Sequence, residues 1–314
     1  MRALQIAQYG GKDVLALNQN APKPVTGNRQ VLIEVHAASI NPIDWKIRAG
    51  YLKEHLPLTM PATLGGDVSG VIASVGESVS GMKVGDRVYG YASPLSGGSG
   101  SFADAVAAMI ATVAPAPQKL NFVEAAAAPL VGASAVQALE HHIKLQRGQR
   151  ILIHGGAGGI GSVAVQVAKS IGAYVATTAT DDERAYIHEL GADEVIDYKR
   201  EAFEKKLNNF DAVFDTVGGD TTEKSFKVLK KGGTLVSMLG QPNPALAQQY
   251  GVAAIGQMTD VTTEALKRVA QLLNSGAVKI HVDKVFPLEK AQEAFQLLEE
   301  GHPRGKIVLE MKRG

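Results

Sequence analysis

The stretch between residues 150 and 169 constrains the fold of this chain more than any other, and it reads RILIHGGAGGIGSVAVQVAK. Its apolar start, from Ile151 to Ile153, predicts a buried strand, and five glycines and then small and apolar residues at helical spacing follow. Dinucleotide-binding folds use this order of strand, glycine turn and helix, because the glycines let the backbone approach a pyrophosphate. The helix N-terminus adds unpaired N–H groups for the anion. We therefore predict a phosphate-binding turn here, with a purely structural turn as the alternative.

Composition narrows the possible functions. The 314 residues suffice for about two domains. Lys plus Arg number 32 against 31 for Asp plus Glu, so no field of one sign would attract nucleic acid or an anionic membrane, and we expect neither partner. The absence of cysteine excludes disulfides, thiolate zinc sites and cysteine nucleophiles. With no signal-peptide pattern and no apolar span of about 18 residues, the expected location is cytoplasmic.

Residues 1 to about 120 predict a β-rich unit. Short β-prone runs at 3–7, 31–38, 68–75 and 87–91 are separated by clusters of Gly, Pro, Asn and Asp. Such close spacing is typical of a compact, barrel-like antiparallel unit.

The pattern changes at residue 121. Asn121 and Glu124 have the spacing of a capping box, which predicts a helix from Phe122. Apolar runs at 151–153, 174–178, 194–196, 212–214 and 234–238 then alternate with amphipathic segments, which indicates βαβ units and a parallel sheet. After residue 275 the pattern predicts a strand at 280–285, a helix at 288–300 and a strand at 306–310. The two ends of the chain are therefore expected to form one domain around an inserted nucleotide-binding domain.

The second strand of the nucleotide-binding domain informs the choice of cofactor. NAD-binding units place an acidic residue at the end of this strand to bind the ribose hydroxyls, but here the position holds Ala179 between Thr178 and Thr180. Without that carboxylate a 2′-phosphate is not repelled, and Arg184 is suited to bidentate contact with it. This favours NADPH.

Two neighbouring acids support the opposite interpretation. Asp181 and Asp182 could repel a phosphate or bind the ribose themselves, in which case Arg184 is a solvated helix residue.

Eight segments of the sequence, in the same order, are similar to those of a known family. Over nearly its whole length the chain resembles the medium-chain dehydrogenase/reductase superfamily, and within it the zinc-free quinone oxidoreductases related to zeta-crystallin. The matching segments are 38–44, 64–70, 84–89, 132–138, 154–161, 190–198, 214–219 and 304–309. The resemblance implies an α/β fold: a GroES-like, β-rich catalytic domain at 1–120, completed by 276–314, around a Rossmann domain with a doubly wound parallel sheet at 121–275.

The resemblance also argues against a zinc enzyme. Zinc alcohol dehydrogenases carry a cysteine ligand near positions 39–41 and a histidine where this chain has Gly66. The eight histidines are scattered without metal-ligand spacing, and His141, His142, and His281 or His302 are interpreted as surface or satisfied core residues. We therefore predict no metal site.

Carried over by position, the resemblance implies a set of cofactor contacts. Asn41 would lie near the nicotinamide and its ribose, as the positioning residue of the reaction. Glycine-turn backbone would meet the pyrophosphate, and side chains after the second and third strands would surround the adenosine phosphate. The full set is Asn41, Ser134, Gly158, Gly159, Ile160, Thr178, Thr180, Arg184, Tyr198, Val217, Leu239 and Lys306.

The acceptor side of the site is less defined. Many relatives have a tyrosine where this chain has Lys46, so their usual quinone contacts do not carry over. The proton donor is unassigned, with Tyr51, His55 and Tyr91 as candidates by rough location.

The implied activity is hydride transfer from NADPH to a quinone or a similar electron-poor acceptor without zinc. Two alternatives stay open: an enoyl or alkenal double-bond reductase, and an NADPH-binding protein whose main role is scaffolding or interaction. Relatives of this kind commonly pair through an edge strand, so a homodimer through segments 234–238 and 250–258 is expected.

Overall fold

The computed structural model describes residues 1–301 and 303–311, and these residues contain sixteen β-strands. The strands are β1 (Ala3–Ile6), β2 (Ala16–Asn18), β3 (Gln30–Ile40), β4 (Ala62–Thr63), β5 (Asp67–Val75), β6 (Arg87–Tyr91), β7 (Ala105–Met109), β8 (Val113–Pro115), β9 (Arg150–Ile153), β10 (Tyr174–Ala179), β11 (Glu194–Asp197), β12 (Phe210–Asp215), β13 (Leu229–Ser237), β14 (Ala253–Gly256), β15 (Val282–Pro287) and β16 (Lys306–Glu310).

The same residues form ten α-helices, several of them extended by short 3-10 turns. The helices are α1 (Pro42–Arg48), α2 (Phe122–Ala126), α3 (Pro129–Val136), α4 (Gly159–Ile171), α5 (Arg184–Glu189), α6 (Phe203–Lys206), α7 (Asp220–Ser225), α8 (Pro244–Tyr250), α9 (Thr263–Ser275) and α10 (Ala291–Glu300).

The chain divides into two units. The first contains residues 1–130, Val261–Asn274 and the described residues from Ile280 onward, and the second contains Val131–Asp260 and Ser275–Lys279. The predicted scheme of a terminal domain around an inserted one matches this division in outline, but its boundaries lie elsewhere.

Side-chain contacts explain the different boundaries. The Ser69 hydroxyl donates to the Phe122 carbonyl at 2.5 Å, which ties α2 to the first unit. The Tyr89 hydroxyl donates to the Leu266 carbonyl at 2.5 Å, and Thr263 donates to the Val113 carbonyl at 2.9 Å. Helix α9 therefore packs with the first unit, although its sequence position suggested the second.

The first unit is built mainly on antiparallel strands, with one parallel pair, β15 and β16. Its main sheet has the order β15-β16-β3-β5-β6-β8, with β7 also paired to β3, and a smaller sheet has the order β2-β1-β4. Strand β16, from the end of the chain, pairs antiparallel with β3, so that Ile307 lies opposite Ile40. The core between these strands and α10 contains Ile33, Phe102 and Phe295.

The second unit is a six-stranded sheet in which every pairing is parallel. Its order is β11-β10-β9-β12-β13-β14, the doubly wound order of nucleotide-binding sheets. The predicted fold class is thereby confirmed. Because the chain leaves β9 toward β10 on one side of the sheet and leaves β12 toward β13 on the other, the end of β9 lies where such sheets bind their ligands.

Local sequence signals explain many of the element bounds. The capping box is present, since the Asn121 side chain accepts from the Glu124 N–H at 2.9 Å and Glu124 accepts from the Asn121 N–H at 3.0 Å.

The expected edge strand at 234–238 was placed wrongly. Strand β13 is paired on both sides, and the edge on this side of the sheet is β14, which lies within the other segment expected to pair, 250–258.

No helix among the described residues is long and apolar enough to cross a bilayer.

Candidate functional site

In the glycine turn between β9 and α4, packing leaves space beside Gly158 but not beside Gly161. A Cβ atom on Gly158 would meet only the Gly155 carbonyl oxygen, at 3.4 Å, and the Gly158 φ of −74° suits any residue. A Cβ on Gly161 would lie 2.1 Å from the same oxygen. Gly161 is therefore required by packing, whereas packing does not explain Gly158.

The start of α4 suits an anion. Gly158, Gly159 and Ile160 are partly exposed, and no acidic residue lies in the first turn of this 13-residue helix. Helix N-termini present unpaired N–H groups and a partial positive charge. The turn predicted from the sequence thus has a conformation that fits a pyrophosphate.

Three large side chains are exposed where parallel strands end. Tyr198 follows β11, Val217 follows β12 and Leu239 lies just beyond β13, and each is about half exposed, at 51%, 52% and 48%. Apolar side chains exposed together at the carboxyl edge of a doubly wound sheet are typical of a ligand-binding face. All three were predicted as cofactor contacts from the sequence.

The buried carboxylate of Asp215 shapes the turn that carries Val217. Its Oδ1 accepts from the N–H groups of Val217, at 2.8 Å, and Gly218, at 3.1 Å, and its other oxygen accepts from the Thr222 hydroxyl. Gly218 has a φ of +86° and packs against Leu239. Sequence reasoning assigned Asp215 no role, although it lies inside a segment that matched the family.

A directed chain of hydrogen bonds supports the glycine turn from behind. The Ser225 hydroxyl donates to the Thr221 carbonyl, so the buried His154 must donate to Ser225 through Nε2, at 2.9 Å. His154 Nδ1 then accepts from the Thr178 hydroxyl at 3.1 Å, and Thr178 accepts from the Gly155 N–H at 3.1 Å.

This chain has two consequences. Burial lowers the pKa of His154 to about 4, so its imidazole is neutral at physiological pH. The structure also places the hydroxyl of Thr178 inside the protein, where it braces the turn.

The end of β10 carries the residues predicted to select the cofactor. The Thr180 hydroxyl donates to Glu183 at 2.8 Å. Arg184 is not merely solvated: its Nε donates to Asp181 at 3.0 Å and its Nη1 to the Val195 carbonyl at 2.9 Å. Arg200 also approaches Asp181, at 3.8 Å. One aspartate is thus shared by two guanidinium groups.

Ser134, on α3, is fully buried in the second unit. Its hydroxyl and that of Thr259 are 2.7 Å apart, and the Gln257 amide donates to the Ser134 carbonyl at 3.0 Å. Contact of Ser134 with a cofactor stays a prediction from the family resemblance.

Asn41 lies in a buried polar cluster of the first unit. Its Nδ2 donates to Asp67 Oδ2 at 2.8 Å, and its Oδ1 accepts from Lys306 Nζ at 2.5 Å. Ser39 donates to the same Asp67 oxygen at 2.7 Å. The Asn41 N–H donates to Asp44 at 2.7 Å. The sequence comparison named Asn41 and Lys306, whereas Ser39, Asp44 and Asp67 were missed, although polar residues beside apolar strand runs were a usable signal.

Burial governs the ionisation of this cluster. It raises the pKa of Asp44 to about 7. It also raises the pKa of Asp67, against the opposing effects of Lys306 and the hydrogen bonds that Asp67 accepts, and it lowers the pKa of Lys306.

Gly66, which stands where zinc alcohol dehydrogenases have a histidine ligand, is covered by the aromatic ring of Tyr91. A Cβ on Gly66 would lie 2.1 Å from the Tyr91 ring. Burial raises the pKa of the Tyr91 phenol, so it stays protonated. Tyr51, by contrast, is largely exposed and packs edge-on against Trp45 at 5.6 Å, and His55 is exposed. Of the three proton-donor candidates, Tyr91 is the one packed beside the buried acids.

Within residues 1–301 and 303–311, no group of three or more His, Cys, Asp or Glu side chains is placed to hold a metal ion. His302 lies outside the described residues.

Two family models match the chain. An alcohol dehydrogenase GroES-like domain matches residues 27–118, and a model named zinc-binding dehydrogenase matches residues 190–309.

Individual proteins agree over nearly the whole length. The chain is 38% identical over 317 residues to a 2-methylene-furan-3-one reductase of Solanum lycopersicum, which covers 98% of this chain and 79% of that protein. The structure of a quinone oxidoreductase from Coxiella burnetii superposes with a TM-score of 0.90 at 35% identity, over 99% of both chains. The Escherichia coli quinone oxidoreductase complexed with NADPH gives 0.88 at 27% identity, over 99% of this chain and 100% of the other. With these likenesses and the geometry above, the chain belongs to the medium-chain dehydrogenase/reductase superfamily, among the quinone oxidoreductases related to zeta-crystallin, and is an NAD(P)H-binding oxidoreductase.

Proposed function

We propose that the protein transfers hydride from NADPH to a quinone or a similar electron-poor acceptor, without zinc. The observation that carries the cofactor part is the turn at Gly158, where packing leaves space beside the N-terminus of α4. The exposed Tyr198, Val217 and Leu239 follow three strands of the same parallel sheet, β11, β12 and β13.

Each part of the cofactor has proposed contacts. The backbone at Gly158, Gly159 and Ile160 binds the pyrophosphate. Val217 and Leu239 pack along the dinucleotide, and Ser134 and Asn41 lie toward the nicotinamide, as the family resemblance implies. Thr178 supports the turn through Gly155.

We propose NADPH over NADH because Arg184 and Arg200 both lie at the ends of β10 and β11, with Tyr198 and Thr180 beside them. A 2′-phosphate would compete with Asp181 for these guanidinium groups and form stronger, bidentate contacts. The structure of the E. coli relative is a complex with NADPH.

When bound, NADPH supplies the hydride. The chain's own residues orient it: the glycine turn fixes the phosphates, and Asn41, held by Asp67 and Lys306, presents its amide in one orientation. The acceptor gains a hydride and then a proton, which comes from solvent or from a protein donor. Tyr91 is our first candidate for that donor, because its ring packs against Gly66, beside the buried Asp44 and Asp67.

The main alternative acceptor is an α,β-unsaturated carbonyl compound. The tomato relative is named a 2-methylene-furan-3-one reductase, and its identity to this chain is 38%, against 35% for the Coxiella quinone oxidoreductase. The same cofactor geometry serves both acceptors, so the two activities differ in the acceptor contacts alone.

A panel of acceptors tests the proposal. NADPH oxidation is followed at 340 nm with a series of quinones and a series of enones at equal concentrations. Faster turnover with quinones supports the main proposal, and faster turnover with enones favours the double-bond reductase. Tight NADPH binding without acceptor-dependent oxidation would instead favour the scaffold role.

Chelator treatment and elemental analysis test the absence of zinc from the mechanism. One tightly held zinc ion per chain would contradict the zinc-free mechanism.

Two further properties complete the proposal. We propose a homodimer formed through β14, because no strand within the described part of the chain pairs with its outer edge. We also propose a cytoplasmic location, which cell fractionation tests.

A further inference from the structure

Two carboxylates and one ammonium group lie buried together in the first unit, and the proposed mechanism uses none of them directly. Asp44, Asp67 and Lys306 are at most 4% exposed. Burying charges is costly unless they are paired and hydrogen-bonded. A cluster of this kind therefore needs an explanation beyond stability.

The cluster fixes the side-chain amide of Asn41 in one orientation. The Nδ2 group donates to Asp67 at 2.8 Å, and Oδ1 accepts from Lys306 at 2.5 Å. Turning the amide over would set its NH₂ group against an ammonium and its oxygen against a carboxylate. An uncharged neighbour on either side would not impose this choice as strongly, because charge-assisted hydrogen bonds are about twice as strong as neutral ones.

The backbone holds both charged groups in place. Lys306 Nζ donates to the Ile40 carbonyl at 2.8 Å and lies 3.8 Å from Asp67, and its position follows from the pairing of β16 with β3. Asp67 accepts from the Ser39 hydroxyl at 2.7 Å and from the Leu130 N–H at 2.9 Å. These bonds fix the positions of both charged side chains, so they set the orientation of the Asn41 amide.

The resemblance predicted that Lys306 approaches the cofactor. The structure gives its ammonium group internal partners and leaves the residue 4% exposed. We propose that Lys306 and Asp67 are positioning residues, which act on hydride transfer through the orientation of Asn41 and do not contact the cofactor. This inference rests on the proposed function, in which Asn41 lies at the nicotinamide ribose.

The test begins with Lys306→Met, which keeps the length of the side chain and removes its charge. Because this variant leaves Asp67 buried without its partner, a second variant combines it with Asp67→Asn and keeps the pair neutral. Lys284→Met is the matched control, since Lys284 is exposed on the neighbouring strand β15. Crystal structures of the cofactor-free variants, NADPH dissociation constants and kcat at saturating NADPH are measured.

We expect both cluster variants to show a changed or disordered Asn41 side chain. Their kcat should fall about tenfold or more, while the dissociation constant of NADPH changes by less than about threefold. Combining Lys306→Met with Asn41→Ala should give a protein no slower than Asn41→Ala alone, within about twofold, because both changes remove one interaction.

Several results would overturn the inference. An unchanged Asn41 side chain in both cluster variants would show that the pair does not orient it. A loss of NADPH affinity at unchanged kcat would show direct cofactor contact by Lys306. Multiplied losses in the double variant would show independent action. Failure of the proposed function is seen separately, as absence of acceptor-dependent NADPH oxidation in the unaltered protein, and the Asn41 structures decide the positioning role even then.

Discussion

At the scale of single residues, the two glycines Gly158 and Gly161 have different reasons to be glycine. Replacing Gly158 by valine should leave the fold intact, because a Cβ atom there meets only one carbonyl oxygen, at 3.4 Å. It should weaken NADPH binding by about a hundredfold or more, since the pyrophosphate can no longer approach the backbone. Titration of protein fluorescence with NADPH measures the affinity, and circular dichroism reports the fold.

Gly161→Ala is the matched comparison. Its Cβ would lie 2.1 Å from the Gly155 carbonyl oxygen, so we expect a loss of about 1–3 kcal/mol in the free energy of unfolding. Native-like NADPH affinity in Gly158→Val would mean that the turn has a structural role only.

The choice between NADPH and NADH depends on the pair Arg184 and Asp181. Arg184→Ala should weaken NADPH about tenfold to a hundredfold, as a lost charge-assisted contact predicts, and leave NADH nearly unchanged. Asp181→Ala should strengthen NADPH binding, because it releases Arg184 from a competing carboxylate 3.0 Å away. The dissociation constants of both cofactors are compared. If Asp181→Ala weakens NADH instead, the aspartate binds the ribose and the protein prefers NADH.

Asp44 should make the stability of the protein depend on pH. Its pKa is about 7 in the folded protein against 3.8 for an unperturbed aspartate, so the folded state retains a proton that the unfolded state has lost between these values. The contribution of Asp44 to stability is complete below pH 3.8 and is lost as the pH rises through 7, by up to about 4 kcal/mol. The difference in unfolding free energy between the protein and Asp44→Asn, measured by urea denaturation, should fall over this range. A difference that does not vary with pH would contradict the raised pKa.

At the scale of elements, His154 joins the end of β9 to β10 and α7. His154→Leu would leave the buried hydroxyl groups of Thr178 and Ser225 without this partner, at a cost of about 1–3 kcal/mol for each group. His154→Gln retains a donor and an acceptor and should lose less. Chemical denaturation at pH 7 measures both variants, and equal stability of His154→Leu and the unaltered protein would refute the bracing role.

The pH dependence from His154 has the opposite sign to that from Asp44. Its pKa falls from 6.5 to about 4 on folding, so its contribution is complete above pH 6.5 and is lost as the pH falls toward 4. The two contributions partly cancel in the unaltered protein. Each therefore becomes visible when the other residue is replaced.

The sequence predicted elements where local signals were strong. Asn121 and Glu124 marked the start of α2, and the glycines after Ile153 marked the start of α4. Strand β14 lies within the segment 250–258 that was expected to pair, but its bounds were not predicted because Ala253–Gly256 is short, half-exposed and without alternation. The roles of Asp67 and Lys306 were hidden for a different reason: their partner, Asn41, is 26 and 265 positions away, and no local pattern records such a pairing.

At the scale of the whole molecule, the edge of the parallel sheet predicts the oligomeric state. Light scattering at micromolar concentration should give twice the 33.0 kDa of one chain. Ile255→Lys with Met258→Lys should give monomers, because charges on an edge strand oppose pairing and Met258 is 87% exposed. Val84→Lys, an exposed apolar position of the first unit, is the control and should remain a dimer. A monomeric unaltered protein would contradict the proposal.

A terminal unit around an inserted one was predictable in outline, because the sequence changes from closely spaced β-prone runs to strands that alternate with amphipathic segments, and then changes back. The exact boundaries were not, because they depend on single contacts such as that of Tyr89 with Leu266, 177 positions apart. Such contacts assign α9 to the first unit, although it follows directly on strands of the second.

The pairing of β16 with β3 has a consequence for synthesis on the ribosome, where a chain emerges from its N-terminus and domains fold as they appear. Strand β3 is made well before β16, so residues Ala37 to Ile40 of β3 lack this partner strand until β16 has emerged. During that time Asp67 has no Lys306 to offset its charge. In a chain truncated before Lys306, this part of β3 would stay unpaired and Asp67 would stay without its cation. Such a chain should be degraded faster by cellular proteases. The Asn41 cluster is therefore complete only after Lys306 has been made.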